Sequence, residues 1–158
     1  MNRHLKKVVL DTNLLLLWLV ARADATLLQQ FKRVQQFTYQ DIELLQSFLQ
    51  PYEKFVTTPH ILSETSNFLD QAPSWQRTAL INALKDFIRS GVEVYRPAGE
   101  LIERDEFNAL GLTDTGIAQL SAEAVVLTVD FRLAGKIEAM GGNALNFNHY
   151  RTGLAIPL

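Results

Sequence analysis

The 158-residue chain contains no cysteine. Disulfides, iron–sulfur clusters, thiolate zinc sites and cysteine nucleophiles are therefore excluded, and the absence fits a reducing cytosol. A membrane-length apolar run is also missing. The stretch over 14–21 falls far short of the ~20 apolar residues that span a bilayer, and it reads as a helix buried on most sides. Arg3, Lys6 and Lys7 followed by apolar residues imitate a secretory leader, but Asp11 and Asn13 interrupt the apolar core. The expectation is a cytoplasmic protein with no membrane partner. There is no G-x-S-x-G, P-loop, G-x-G-x-x-G or H-E-x-x-H, and His4, His60 and His149 show no metal-ligand spacing. Lipase-like, nucleotide-hydrolysing, dinucleotide-binding and zinc-protease readings thus lack support.

An excess of charge of either sign is lacking too. Fifteen Lys and Arg face seventeen Asp and Glu, a net charge of -2, which excludes a histone-like polyanion binder. The first fifty residues are mildly basic and the last third acidic. Lys32 and Arg33, with Arg22 and Lys54, are candidates for contact with a nucleic-acid backbone, or ordinary solvated charges.

What is present is a set of short apolar runs that end in acids. Val8-Val9-Leu10 leads into Asp11-Thr12-Asn13, and Ala124-Val125-Val126-Leu127-Thr128-Val129 leads into Asp130. Runs this short fit strands buried on both faces of a parallel sheet. Phe55–Thr58, Val92–Tyr95 and Ala144–Phe147 read as further strands. Between them lie helical stretches: about 13–22, an amphipathic Asp24–Phe37, one from about Asp41 to Leu49, one opened by Pro59 and running to Leu69, and one from Pro73 to Ser90 with Leu80, Leu84, Phe87 and Ile88 inward. Others are expected at Pro97–Phe107, at Asp114–Glu123 capped by Thr113, and at Phe131–Met140. Strands alternating with helices predict an α/β sandwich with a mainly parallel sheet, formed by residues 1–158 as one domain.

Each acid has two readings. Asp11 and Asp130 at strand ends are ordinary helix caps or metal ligands. Glu64 is an exposed helical charge or a third ligand, and Asp114 is a first-turn acid or a fourth. Jointly, acids at the carboxyl ends of parallel strands fall on one sheet edge, where α/β proteins bind ligands. Two carboxylates ~4 Å apart repel by about 4 kcal/mol at an effective dielectric of 20, so such a cluster requires a divalent cation or protonation. Oxygen-only donors suit Mg²⁺ or Mn²⁺, and such a site serves phosphoryl chemistry. His60 and Asn67 lie on the Glu64 helix at spacings that reach the same face.

The segments Val8–Asn13, Thr58-Pro59-His60-Ile61-Leu62-Ser63-Glu64, Leu112-Thr113-Asp114 and Leu127-Thr128-Val129-Asp130-Phe131-Arg132-Leu133-Ala134 together resemble the PIN-domain family. The order and spacing match over nearly the whole chain. The resemblance implies a PIN-like three-layer α/β/α sandwich around a mainly parallel sheet of four to five short strands. It implies a Mg²⁺- or Mn²⁺-dependent endoribonuclease with Asp11, Glu64, Asp114 and Asp130 as catalytic, metal-binding acids. Thr12, Asn13 and Thr128 would then support the metal shell. Compact bacterial members are similar to VapC toxins, held inactive by an antitoxin protein. The region 24–49 is longer than in the most compact of these, as an inserted helical clamp or homodimer surface. Glu103, Asp105 and Glu106 read as a solvated helix face or a landing site for a basic antitoxin segment. The alternative is a catalytically silent module that keeps the fold and binds RNA or protein; a structure-specific DNA nuclease is a third reading.

Overall fold

A computed structural model describes residues 5–151; Arg3 and His4 lie outside them. Five strands form one all-parallel sheet in the order β3-β2-β1-β4-β5: β1 Lys7–Leu10, β2 Lys54–Thr57, β3 Val92–Glu93, β4 Val125–Thr128 and β5 Ala144–Asn146. β1 is central because Val8, Val9 and Leu10 are all buried, as is every residue of β4 beside it. Val8 pairs with Phe55 on one side and Val125 on the other. β3 is exposed at the edge and only two residues long, shorter than Val92–Tyr95.

Helices cover the sheet on both faces. α1 (Thr12–Ala23) packs against α3 (Pro59–Leu69) and α4 (Ser74–Ser90), while α6 (Phe107–Leu120) packs against α5 (Ala98–Leu101) and α7 (Phe131–Ala139). The result is a three-layer α/β/α sandwich. α1 is apolar nearly all round, with Leu14–Leu17, Leu19 and Val20 fully buried. Trp18 stands edge-on to Phe55 and Phe87, each at 5.4 Å, joining α1 to β2 and α4. Among the described residues no helix is long and apolar enough to cross a membrane.

Several expectations fail locally. The stretch Asp24–Phe37 is two 3₁₀ segments, Ala25–Gln29 and Lys32–Val34, rather than one α-helix. Asp24 accepts from the Thr26 amide and hydroxyl, closing a local turn that competes with helix. Phe31 is then extended and drives its ring into the core. The expected apolar set still goes inside: Leu27, Leu28, Phe31, Val34 and Phe37 are all buried. α2 (Tyr39–Leu49) completes this region, with Thr38 and Asp41 forming a capping box. Pro97–Phe107 yields only the single turn of α5, because Leu101 is its one buried anchor, and an isolated turn does not propagate without tertiary support. Within the acidic run, Glu106 is buried and paired with Arg104 at 3.3 Å rather than solvated. Ile88, expected inward, is exposed.

Candidate metal centre

Strand order places the site. β2 and β4 flank β1 on opposite sides, so the chain leaves β1 in one direction and returns on the other. That reversal opens a crevice at the carboxyl ends of β1 and β4. Asp11 follows β1 and Asp130 closes the β4 run, so both acids stand at the crevice.

Asp11 is 5% exposed. One carboxylate oxygen accepts from the Leu14 amide (2.8 Å) and caps α1. The other accepts from the Thr128 hydroxyl (2.5 Å) and the Val129 amide (2.9 Å), tying the ends of β1 and β4 together. Burial nevertheless pushes its carboxyl above the ordinary range; three hydrogen bonds oppose that shift, and the Asp130 charge adds to it. Asp130 caps α7 with one oxygen, which accepts from the Arg132 amide (2.8 Å) and the Leu133 amide (3.3 Å). Its second oxygen accepts no hydrogen bond among the described residues.

Glu64 comes in from α3. Thr58 caps that helix, and Pro59 occupies its first turn. The Thr12 hydroxyl donates to one Glu64 oxygen (3.2 Å) and the Thr113 hydroxyl donates to the other. Asp114 comes from the opposite face of the sheet. The chain kinks at Gly111 (φ 80°, ψ -177°), a left-handed backbone that favours glycine, and helix resumes at Leu112. Asp114 therefore lies in a first turn, as expected, but Thr113 is already helical and is not the cap. Burial pushes the Asp114 carboxyl up to about 6, helped by the charges of Asp130, Asp11 and Glu64 and opposed by Arg132.

All four sequence-predicted acids thus converge on one edge, two from each side of the sheet. Thr12 and Thr128 hold acids in place through their hydroxyls. Asn13 does not: it faces a separate polar pocket with Lys32, Arg33, Gln36 and Gln71. Among the described residues His60 and Asn67 make no hydrogen bond to the acids. Two participants were not assigned their roles from the sequence: Thr113, legible only as a cap, donates to Glu64, and the charge of Arg132 opposes the rise of Asp114.

No family model, curated protein or solved structure matches this chain.

Its chemistry therefore rests on the site itself. The donor set is oxygen-only, as a hard cation requires. Asp114 and the second Asp130 oxygen retain free acceptor capacity, and Asp114, raised chiefly by burial, also feels the charges of Asp130, Asp11 and Glu64, opposed by Arg132. Among the described residues no three acidic or histidine side chains form a preassembled metal cage. The residues fit a divalent cation by charge and donor type, with closure left to the unbonded Asp114 and Asp130 oxygens.

Proposed function

We propose that this protein is a PIN-like, divalent-cation-dependent endoribonuclease in which Asp11, Glu64, Asp114 and Asp130 hold Mg²⁺ or Mn²⁺. One observation carries the reading: four carboxylates from four different elements lie at the sheet's switch point, close enough that Asp114, raised to about 6 mainly by burial, also feels the charges of Asp130, Asp11 and Glu64. When bound, the cation supplies Lewis-acid chemistry, activating water and stabilising charge on the phosphodiester. The chain's own residues supply position. Thr128 and the Val129 amide fix Asp11, while Thr12 and Thr113 clamp both oxygens of Glu64. Asp114, raised to about 6 in the metal-free protein, would be held in its ionised form by a bound cation and so serve as a ligand. The cellular setting consistent with this reading is the cytoplasm, as an RNA-processing enzyme or as a toxin restrained by an antitoxin protein; a homodimer through residues 24–49 is a further part of the proposal.

The test is cleavage of RNA in Mn²⁺ by Asp11→Asn and Asp130→Asn variants that melt as the parent does. The expected result is a loss of at least ~100-fold in rate, the scale of removing a group that stabilises transition-state charge. Equal cleavage by parent and variants sinks the proposal. A second reading has its own support. Asp11 and Asp130 each cap a helix, so structure alone gives them a purpose, and a catalytically silent RNA- or protein-binding module needs no more. That reading requires that Mn²⁺ leave the melting temperature unchanged.

A further inference from the structure

Two residues beyond Asp11, Asn13 lines a second polar feature, of opposite sign to the acids. A pocket of about 370 Å³ is lined by Asn13, Lys32, Arg33, Gln36 and Gln71. Two cations and three amides face it, and among the described residues neither Lys32 nor Arg33 forms an ion pair. Arg33 is nonetheless fixed. Its Nε donates to the Gln71 side-chain oxygen at 3.1 Å, and its guanidinium lies 3.8 Å over the Phe68 ring. Phe68 and Gln71 stand four and seven residues after Glu64, Phe68 on α3 and Gln71 just past its end, along the same stripe. The opposite wall is Asn13, the residue after Thr12, whose hydroxyl donates to Glu64. Both walls of the pocket are thus continuous with the elements that hold Glu64.

The break between the two 3₁₀ segments positions these cations. A continuous amphipathic helix would turn Lys32 and Arg33 outward as solvated charges. The extended Phe31 instead buries its ring, and Arg33, still exposed, turns back to Phe68 and Gln71 while Lys32 lines the same pocket.

We propose that this pocket is a phosphate subsite for single-stranded RNA, holding a backbone phosphate that neighbours the one presented to the four acids. The substrate class rests on the nuclease reading; the pocket itself does not. A polyanion approaching an acidic edge on a chain of net charge -2 is repelled, and a pocket carrying a fixed Arg33 and an exposed Lys32, lined also by Asn13 two residues from Asp11, offsets the repulsion locally. The Arg33 fork, with one nitrogen held by Gln71, leaves its remaining donors for a phosphate oxygen.

The test is the anisotropy of a fluorescein-labelled single-stranded RNA in EDTA, titrated at several salt concentrations. A Lys32→Gln/Arg33→Gln double variant is expected to bind about tenfold more weakly, its slope of log affinity against log salt shallower by roughly 0.7 for each phosphate left without its cation. Lys85→Gln, an exposed charge on α4, serves as the control and is expected to match the parent. Should Arg33→Gln disturb the Phe68 stack, Lys32→Gln alone is expected to move affinity and slope in the same direction. Single-stranded DNA of the same sequence is expected to show the same pocket dependence, since the recognised group is phosphate. Parent-like affinity and slope in the double variant overturn the subsite, even if the parent cleaves RNA in Mn²⁺. A pocket-dependent slope with no Mn²⁺ cleavage upholds the subsite and overturns the nuclease reading.

Discussion

Asp114 is where the site's electrostatics become measurable. Its folded carboxyl titrates near 6, above the ordinary value of 3.8, mainly through burial and then through Asp130, Asp11 and Glu64. A raised acid binds more protons folded than unfolded between these two values, so the metal-free protein loses stability as pH rises from about 4 to about 6. A bound divalent cation reverses the sign, because it favours the ionised form. Thermal melts in EDTA are therefore expected to show the melting temperature falling across that window, with Mn²⁺ raising it more at pH 7 than at pH 5. Asp114→Asn removes the charge that burial and neighbours oppose. It is expected to raise the EDTA melting temperature at pH 7 by roughly 2–4 °C while abolishing both the Mn²⁺ shift and RNA cleavage. A lower EDTA melting temperature for the variant would refute this account. The same residue shows where reading the chain stops short: its first-turn position and its place beside the other three acids were expected, but Thr113 is helical rather than its cap, and the burial that raises the carboxyl carries no signal along the chain.

At the scale of elements, two glycines, one within α7 and one just after it, separate helix propensity from packing. Gly135 sits mid-helix, and a Cβ there meets nothing within 4 Å. Gly135→Ala is expected to stabilise by about 0.8–1 kcal/mol, the propensity difference in a helix interior. Gly142 follows the helix, and a Cβ there comes within 2.8 Å of the Ile137 side chain and 2.9 Å of the Ser121 Cβ. Gly142→Ala is expected to cost about 1–3 kcal/mol by overpacking. Urea unfolding of the two variants checks both signs, and a neutral Gly142→Ala would show that the α6–β5 junction yields. Elements with strong local signals were legible beforehand: Pro59–Leu69 coincides with its expectation, and Ser74–Ser90 begins one residue after Pro73. The failures fell where burial is carried by one residue, as at Leu101, or where a side chain rewired the backbone, as at Asp24.

For the whole molecule, Arg151 ties the end of the described chain to the 24–49 region. It makes a two-pronged ion pair with Asp41 (3.1 and 3.0 Å), donates to the Gln36 carbonyl (2.5 Å) and lies over the Phe37 ring at 5.0 Å. Both partners are largely buried, and Asp41 also belongs to the capping box of α2. Removing the cation leaves Asp41 uncompensated, so Arg151→Ala is expected to cost about 3–5 kcal/mol. The exposed Arg89–Asp86 pair gives the contrast: Arg89→Ala is expected to cost roughly 0–1 kcal/mol. Chemical denaturation of both variants measures the difference, and equal small losses would remove Arg151 from the account of the fold. No assignment of the stretch from His149 onward was legible in the sequence, because a single arginine in a loop carries no periodic signal.

The sequence by itself determined the α/β class, the apolar runs that became β1 and β4, and the acids at their ends. These are local facts: an apolar run, a cap, or a proline in the first turn acts over a few residues and needs no partner elsewhere. Only the tertiary structure decided what those acids face. Thr128 meets Asp11 across 117 residues, Thr12 meets Glu64 across 52, and Thr113 meets Glu64 across 49. It also brought Lys32 and Arg33 beside Asn13 and placed Arg151 on Asp41. Contacts at such separations depend on strand order and on which helix crosses which sheet face, and pattern along the chain records neither.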